Sequence, residues 1–214
     1  MKLTQGEKSE RSRTAILQAA LRLFSKQGYR GTSIREIAAE AGLSTGNVYH
    51  HFPDKEALFT TLLGQYWEAI ASRDFPFNRA LAAGAFPDDL EALARATEES
   101  VRAYRPYVAL IYVDVVEMEG THIRNFYSGM SGRFATFLNQ RYPGDALKDR
   151  LAPGFHPNTA LMLASRFFLH YFAVEILFGV PRQFGLGTPT AIAEISEILR
   201  SGMFRPGTAG QQQA

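Results

Sequence analysis

Apolar positions recur along the chain with a period near 3.6 residues, and capping residues, Gly and Pro separate the runs. Ile16, Ala19, Ala20, Leu23 and Phe24 share one face of a helix predicted from Arg11 to Gln27, which Gly28 stops. Ser33 and Glu36 stand in capping-box register ahead of Ile34, Ile37, Ala38 and Ala41. This second helix is short and ends at Ala41-Gly42. Ser44 can cap a third to about Phe52, and Pro53-Asp54 opens a longer one to Arg73 with Leu58, Leu62, Leu63, Tyr66 and Ile70 on one side. Phe75 to Pro87 reads as a connection. Asp88 or Asp89 starts a helix carrying Leu90, Leu93, Ala94, Thr97 and Val101, which Pro106 interrupts.

Tyr107 to Met118 is rich in Val, Ile and Tyr, which favours a strand, but it is about twice the typical strand length of roughly 5–6 residues. Its length and its helical neighbours predict a helix. Thr121 to Arg141 follows as another helix, despite Gly129 and Gly132, then an irregular stretch to Pro157. Asn158 to Phe178 is the most apolar helix. Leu161, Phe168, Phe172 and Ile176 form one stripe, and Leu163, Phe167, Tyr171, Val174 and Phe178 a second, so it must be covered on two sides. Pro189 opens a last helix to Gly202. Residues 1–10 read as a loose arm and the Gln-rich tail from Gly207 as disordered. The class is all-α.

The segment from Thr32 to Leu58 carries the chemistry. Two short helices meet at Ala41-Gly42-Leu43, where Gly42 can take the positive φ of a sharp turn, and Ile34, Ile37, Ala38, Leu43 and Val48 fix the pair on the first helix. That is a helix-turn-helix, whose second helix fits the major groove of DNA. With Val48 inward, it leaves Ser44, Thr45, Asn47, Tyr49 and His50 outward, and Gly46 lets the backbone approach a base edge. Asn47 can pair bidentately with adenine, and Thr45 can pack on a thymine methyl or bond a base. Thr32, Ser33, Tyr49 and Lys55 complete the DNA-facing set, with Thr32, Tyr49 and Lys55 assigned to phosphates. Lys55 stands in the first turn of its helix, whose positive end adds to the attraction. The same pair of helices also occurs in proteins that bind nothing.

Charge changes this picture only a little. The 214 residues carry a formal net charge of +2. Residues 1–60 hold nine Lys or Arg against six Asp or Glu, a small excess that suits a polyanion. Cysteine is absent, which excludes disulfides, thiolate metal sites and a cysteine nucleophile. The five histidines form no His-x-x-x-His or His-Glu-x-x-His, and there is no Gly-x-Ser-x-Gly, P-loop or dinucleotide fingerprint. No metal, cofactor, catalytic residue or enzyme activity is therefore predicted. Asp114 with Glu117 or Glu119 reads as a solvated face or an internal ion pair. Met1 to Arg13 is too polar for a secretory signal, and Phe167 to Val180 carries His170 and Glu175, short of the roughly 18 apolar residues of a span. The expectation is a soluble cytoplasmic protein without a membrane partner.

Residues 10–58 resemble the DNA-binding domain of the TetR/AcrR family of bacterial transcriptional regulators. The resemblance rests on Ile16-Leu17-Gln18-Ala19-Ala20, Leu23-Phe24, Gly28-Tyr29, Gly31-Thr32-Ser33-Ile34 and Ile37-Ala38. It continues through Ala41-Gly42-Leu43-Ser44, Tyr49-His50-His51-Phe52 and Asp54-Lys55-Glu56-Ala57-Leu58, with His50 standing where the family commonly has an aromatic residue. It implies a homodimer with a DNA-binding head (1–53), a helical ligand-binding and dimerisation body (54–206) and a flexible tail (207–214). Its partners would be double-stranded operator DNA and a small, largely apolar effector. For the effector pocket it points to Trp67, Tyr104, Tyr107, Tyr112, Glu117, Met118, Phe126, Phe168, His170 and Tyr171, with Glu117 able to accept a cation. For the dimer interface it points to Phe172, Ile176, Ile195 and Leu199. The rival reading is a helical small-molecule-binding protein that no longer reads DNA.

Overall fold

The structure is a computed structural model and describes residues 4–144, 147, 151 and 154–201. The tail expected from 207 lies outside the described residues. Among the described residues there are eleven helices and no strand: α1 (Gln5–Gln27), α2 (Ile34–Ala41), α3 (Thr45–His51), α4 (Lys55–Ala71), α5 (Pro76–Ala82), α6 (Ala85–Asp88), α7 (Leu90–Ala103), α8 (Arg105–Glu117), α9 (Ile123–Arg141), α10 (Pro157–Ile176) and α11 (Thr188–Ser201).

Local chemistry explains where the first helices begin. The Thr4 hydroxyl accepts the Glu7 N–H, and the Glu7 carboxylate accepts the Thr4 N–H at 2.7 Å, so a capping box starts α1. Residues 5–10 are therefore helical rather than a loose arm; Thr-x-x-Glu was the overlooked signal. Ser33 and Glu36 form the same box ahead of α2, and Gly42 closes it in the left-handed region at φ 68°. Ser44 and Asp54 cap α3 and α4 through the N–H groups of Asn47 and Ala57. The predicted connection at 75–87 instead contains α5 and α6. Pro76 presets the first turn of α5, and Phe75, Phe77 and Leu81 are buried.

Contacts gather the chain into two compact units. The first comprises residues up to 72 together with 104–129. Its core joins Ile16, Leu17, Ala20 and Phe24 of α1 with Ile37, Val48, Leu58, Phe59, Leu62, Leu63 and Leu110. Phe59 meets both Phe24 and Tyr29 edge-on, with centroids 5.6 and 5.4 Å apart. Thus α4 and α8 pack with the helix-turn-helix, across the division the sequence suggests after residue 53.

The second unit comprises 73–103 and the residues after 129, and α10 packs along α7 in it. Leu161, Phe168 and Phe172 are fully buried on α10, whereas Leu163 is 56% exposed. The first apolar stripe is therefore core apart from half-buried Ile176, whereas in the second Leu163 and Phe178 are exposed, Phe167 and Val174 half-buried and Tyr171 buried. This corrects the expected dimer face: Phe172 and Ile195 are buried inside their own subunit, Ile176 and Leu199 are half-buried, and Leu163, Phe178 and Ile198 are exposed. α10 is 20 residues long and apolar enough to cross a membrane by length and composition, contrary to the sequence estimate. Its buried face is the core of this unit.

Candidate nucleic-acid interface

On α3, Val48 is fully buried against the first unit's core, which fixes the helix and turns its other side to solvent. Ser44, Gly46, Tyr49 and His50 are exposed, and Thr45 and Asn47 are half-buried. Tyr49 is 54% exposed, unusual for a large ring and placed at the centre of the outer face. A Cβ on Gly46 would meet only Ser44 Oγ at 3.9 Å, so internal packing does not demand glycine there. The Asn47 amide is turned so that its Oδ1 is buried without a hydrogen-bond partner. Pairing with adenine uses both amide atoms, so Asn47 must rotate outward to read a base.

The DNA-facing residues outside α3 divide. Thr32 is only 2% exposed, and its hydroxyl donates to the Gly28 carbonyl at 2.8 Å. Its side chain closes the α1–α2 turn instead of facing outward. Ser33 is exposed, but its hydroxyl belongs to the capping box. Lys55 Nζ donates to the carbonyls of Tyr29 and Thr32 at 2.7 and 2.9 Å and sits 4.2 Å from the Tyr29 ring centroid. It ties the turn to the start of α4 and keeps one of its three N–H groups for another acceptor. His51 is half-buried beside His50 and Arg13, and burial and then these charges lower its pKa.

A second set of contacts holds this turn. Gly28 has φ +80°, and a Cβ there would collide with Glu117 Oε1. Glu117 Oε2 accepts the Arg30 N–H at 2.6 Å, while Arg30 Nη2 donates to the Glu117 carbonyl at 3.1 Å. Glu117 is therefore engaged with the α1–α2 turn rather than facing an effector, which corrects its expected role. Nearby, Asp114 is fully buried: it accepts His122 Nδ1–H at 2.7 Å and the Ile123 N–H at 3.0 Å, and His122 Nε2 lies 3.1 Å from the Thr60 hydroxyl. Asp114 is thus an internal hydrogen-bond acceptor and not part of a solvated face.

The ten effector candidates divide between the two units, seven in the first and three in the second. Trp67 stacks on Phe126 at 4.1 Å, and Tyr104 and Tyr107 surround Tyr66, a buried ring that sequence reasoning had placed only in the core. Burial raises the Tyr66 pKa strongly. Tyr112 is half-buried and Met118 packs against the first unit's core. Tyr107 also borders an open groove of about 310 Å³ between α1, α4 and α8, with Arg13, Leu17 and Gln65. Phe168, His170 and Tyr171 belong to the second unit; Phe168 and Tyr171 are buried and His170 is exposed.

An all-helical chain with a capped helix-turn-helix and an exposed α3 face is, by architecture, of the helix-turn-helix class. The profile of the family described as "Bacterial regulatory proteins, tetR family" matches residues 16–62, from α1 into α4. The HTH-type transcriptional repressor KstR2 of Rhodococcus jostii is 36% identical over 106 residues, 49% of this chain and 50% of that protein. NalD of Pseudomonas aeruginosa, the secondary repressor of the MexAB-OprM multidrug efflux pump, is 26% identical, with a TM-score of 0.59 over 92% of this chain and 99% of that one. AibR, solved in complex with isovaleryl coenzyme A and operator DNA, shares the fold at 22% identity, with a TM-score of 0.58 over 91% of this chain and 100% of that one. The family match covers the head, residues 16–62, and the likeness to NalD extends over the fold of the rest. It spans no more than half the length of the curated relatives it first matches.

Proposed function

We propose that the protein is a homodimeric, ligand-responsive transcriptional repressor that holds a palindromic operator and releases it when a small molecule binds. The outer face of α3 carries this reading: Thr45, Gly46, Asn47, Tyr49 and His50 surround a buried Val48 and offer hydrogen-bonding groups and a closely approachable backbone. Ser33, Ser44 and the third Lys55 N–H would hold the phosphates that set its register, and Thr32 would support them from within the turn. The functional division is a DNA-binding head to residue 53 and an effector-binding and dimerisation body from 54 to 206. Its setting is the cytoplasm, where a bacterial operator lies, and its action is binding without catalysis, as for the regulators it resembles.

Release requires that the effector bind the DNA-incompetent state better than the competent one. The Glu117 contacts with Gly28 and Arg30, and the His122 contact with Thr60, are the places where α8 and the α8–α9 turn bear on α1 and α4. The dimer would form on the second stripe, Leu163, Phe167, Val174 and Phe178, with Ile198 of α11, closing a four-helix interface. The inward Asn47 amide and the engaged Lys55 favour the second reading, a helical ligand-binding protein that no longer reads DNA. Capture of genomic fragments by the purified protein separates the two. The repressor reading expects a shared inverted repeat among the captured fragments. It also expects Asn47→Ala to lose about 1–3 kcal/mol of discrimination at particular base pairs. Fragments without a common sequence, or equal effects of Asn47→Ala on captured and random DNA, favour the second reading.

A further inference from the structure

One peptide group, between Tyr29 and Arg30, is gripped at both ends by side chains from distant parts of the chain. Its N–H donates to Glu117 Oε2 at 2.6 Å, and its carbonyl accepts Lys55 Nζ at 2.7 Å. Glu117 closes α8, 87 positions from Arg30, and Lys55 opens α4. Neighbouring carbonyls of the turn are satisfied locally, that of Gly28 by the Thr32 hydroxyl and that of Gly31 by Gln27 Nε2 at 2.9 Å. The Arg30 N–H instead takes its acceptor from α8. Among the described residues Lys55 makes no ion pair, so the Tyr29 and Thr32 carbonyls and the Tyr29 ring set where its charge sits.

A carboxylate at the N–H and an ammonium at the carbonyl polarise a peptide in the same direction, so each charge-assisted bond strengthens the other. The amide is planar, and its N–H and carbonyl point to opposite sides. A rotation that breaks the Glu117 bond therefore swings the carbonyl away from Lys55. The carboxylate is itself held: Arg30 Nη2 donates to the Glu117 carbonyl at 3.1 Å, and Glu117 Oε1 fills the space that a Cβ on Gly28 would take. We infer that Glu117 is a positioning residue for Lys55: through this one peptide it holds the ammonium where its third N–H can meet a phosphate of the DNA backbone. The inference rests on the repressor reading, and it adds a residue of α8 to a contact otherwise assigned to the head alone.

The first arm of the test needs no DNA. Reductive methylation of the full chain, read at Lys55 by mass spectrometry, should run about two- to tenfold faster in Glu117→Ala than in wild type, the worth of one hydrogen bond. It should stay slow in Glu117→Gln, which keeps an oxygen acceptor. The second arm titrates salt against binding to a captured DNA fragment and to random DNA. Glu117→Ala should flatten the slope of log K against log salt by about 0.9, the share of one phosphate, and weaken both complexes equally. Lys55→Met should do the same, Glu117→Ala should add nothing to it, and Glu117→Gln should restore the slope. Circular dichroism and thermal melts check that each variant is folded. Equal Lys55 reactivity in wild type and Glu117→Ala, or losses that add when the two substitutions are combined, would overturn the inference, because Glu117 would then act only on the stability of the head. A wild-type chain that binds no DNA removes the repressor, while faster methylation in Glu117→Ala still upholds the link from Glu117 to Lys55.

Discussion

Gly28 is held in place from two directions. Its φ of +80° is strained for any residue with a side chain, and the Glu117 carboxylate fills the position where a Cβ would go. A helix stop alone would tolerate Asn, but this site leaves no volume for one. Gly28→Ala should therefore lower stability by about 1–3 kcal/mol through the strained backbone. It should also break the Arg30 N–H bond to Glu117 by pushing the carboxylate aside. Urea denaturation measures the first effect. An unchanged midpoint would mean that α8 does not grip this turn. At the same scale, Lys55 shows that a side chain suited to DNA can be held by the protein's own polar groups, whereas Asn47 turns its oxygen inward without a partner. Lys55 donates to two carbonyls of the α1–α2 turn.

At the scale of elements, the helix-turn-helix was legible because its signals are local. Ser33, Glu36, Gly42, Ser44 and Asp54 occupy in space the capping and turn positions that their spacing implies. The start of α1 was hidden because Thr4 and Glu7 precede a polar turn with no apolar periodicity to draw attention to it. α5 was hidden because it is only about two turns long and starts after Phe75, which offers no side-chain cap. What spacing could not supply is partnership across distance: that Glu117 reaches Arg30, that Asp114 accepts from His122, and which stripe of α10 is covered. The stripe assignment has a direct consequence. Leu163→Asp combined with Ile198→Asp should give folded monomers in sedimentation, because both residues are exposed on the free chain. Phe172→Ala should instead lower thermal stability, as emptying a fully buried aromatic site costs about 3–5 kcal/mol. A dimer unaffected by the double substitution would place the interface elsewhere.

At the scale of the whole molecule, the proposed repressor needs two copies of α3 joined so that both meet one duplex. Two-fold symmetry of such a dimer would impose two-fold symmetry on the site, with half-sites about one helical turn (roughly 34–36 Å), or a multiple of it, apart. α3 has seven residues, so in the proposed reading one head would present few side chains to bases and two heads would share one site. The most direct measurement is a hydroxyl-radical footprint of the full-length protein on a captured genomic fragment, repeated with the Leu163→Asp and Ile198→Asp double variant. The account predicts two protected half-sites related by a dyad in the wild-type lane, and loss of that paired pattern when the interface is broken. A single asymmetric footprint, or protection indifferent to the double variant, would contradict it.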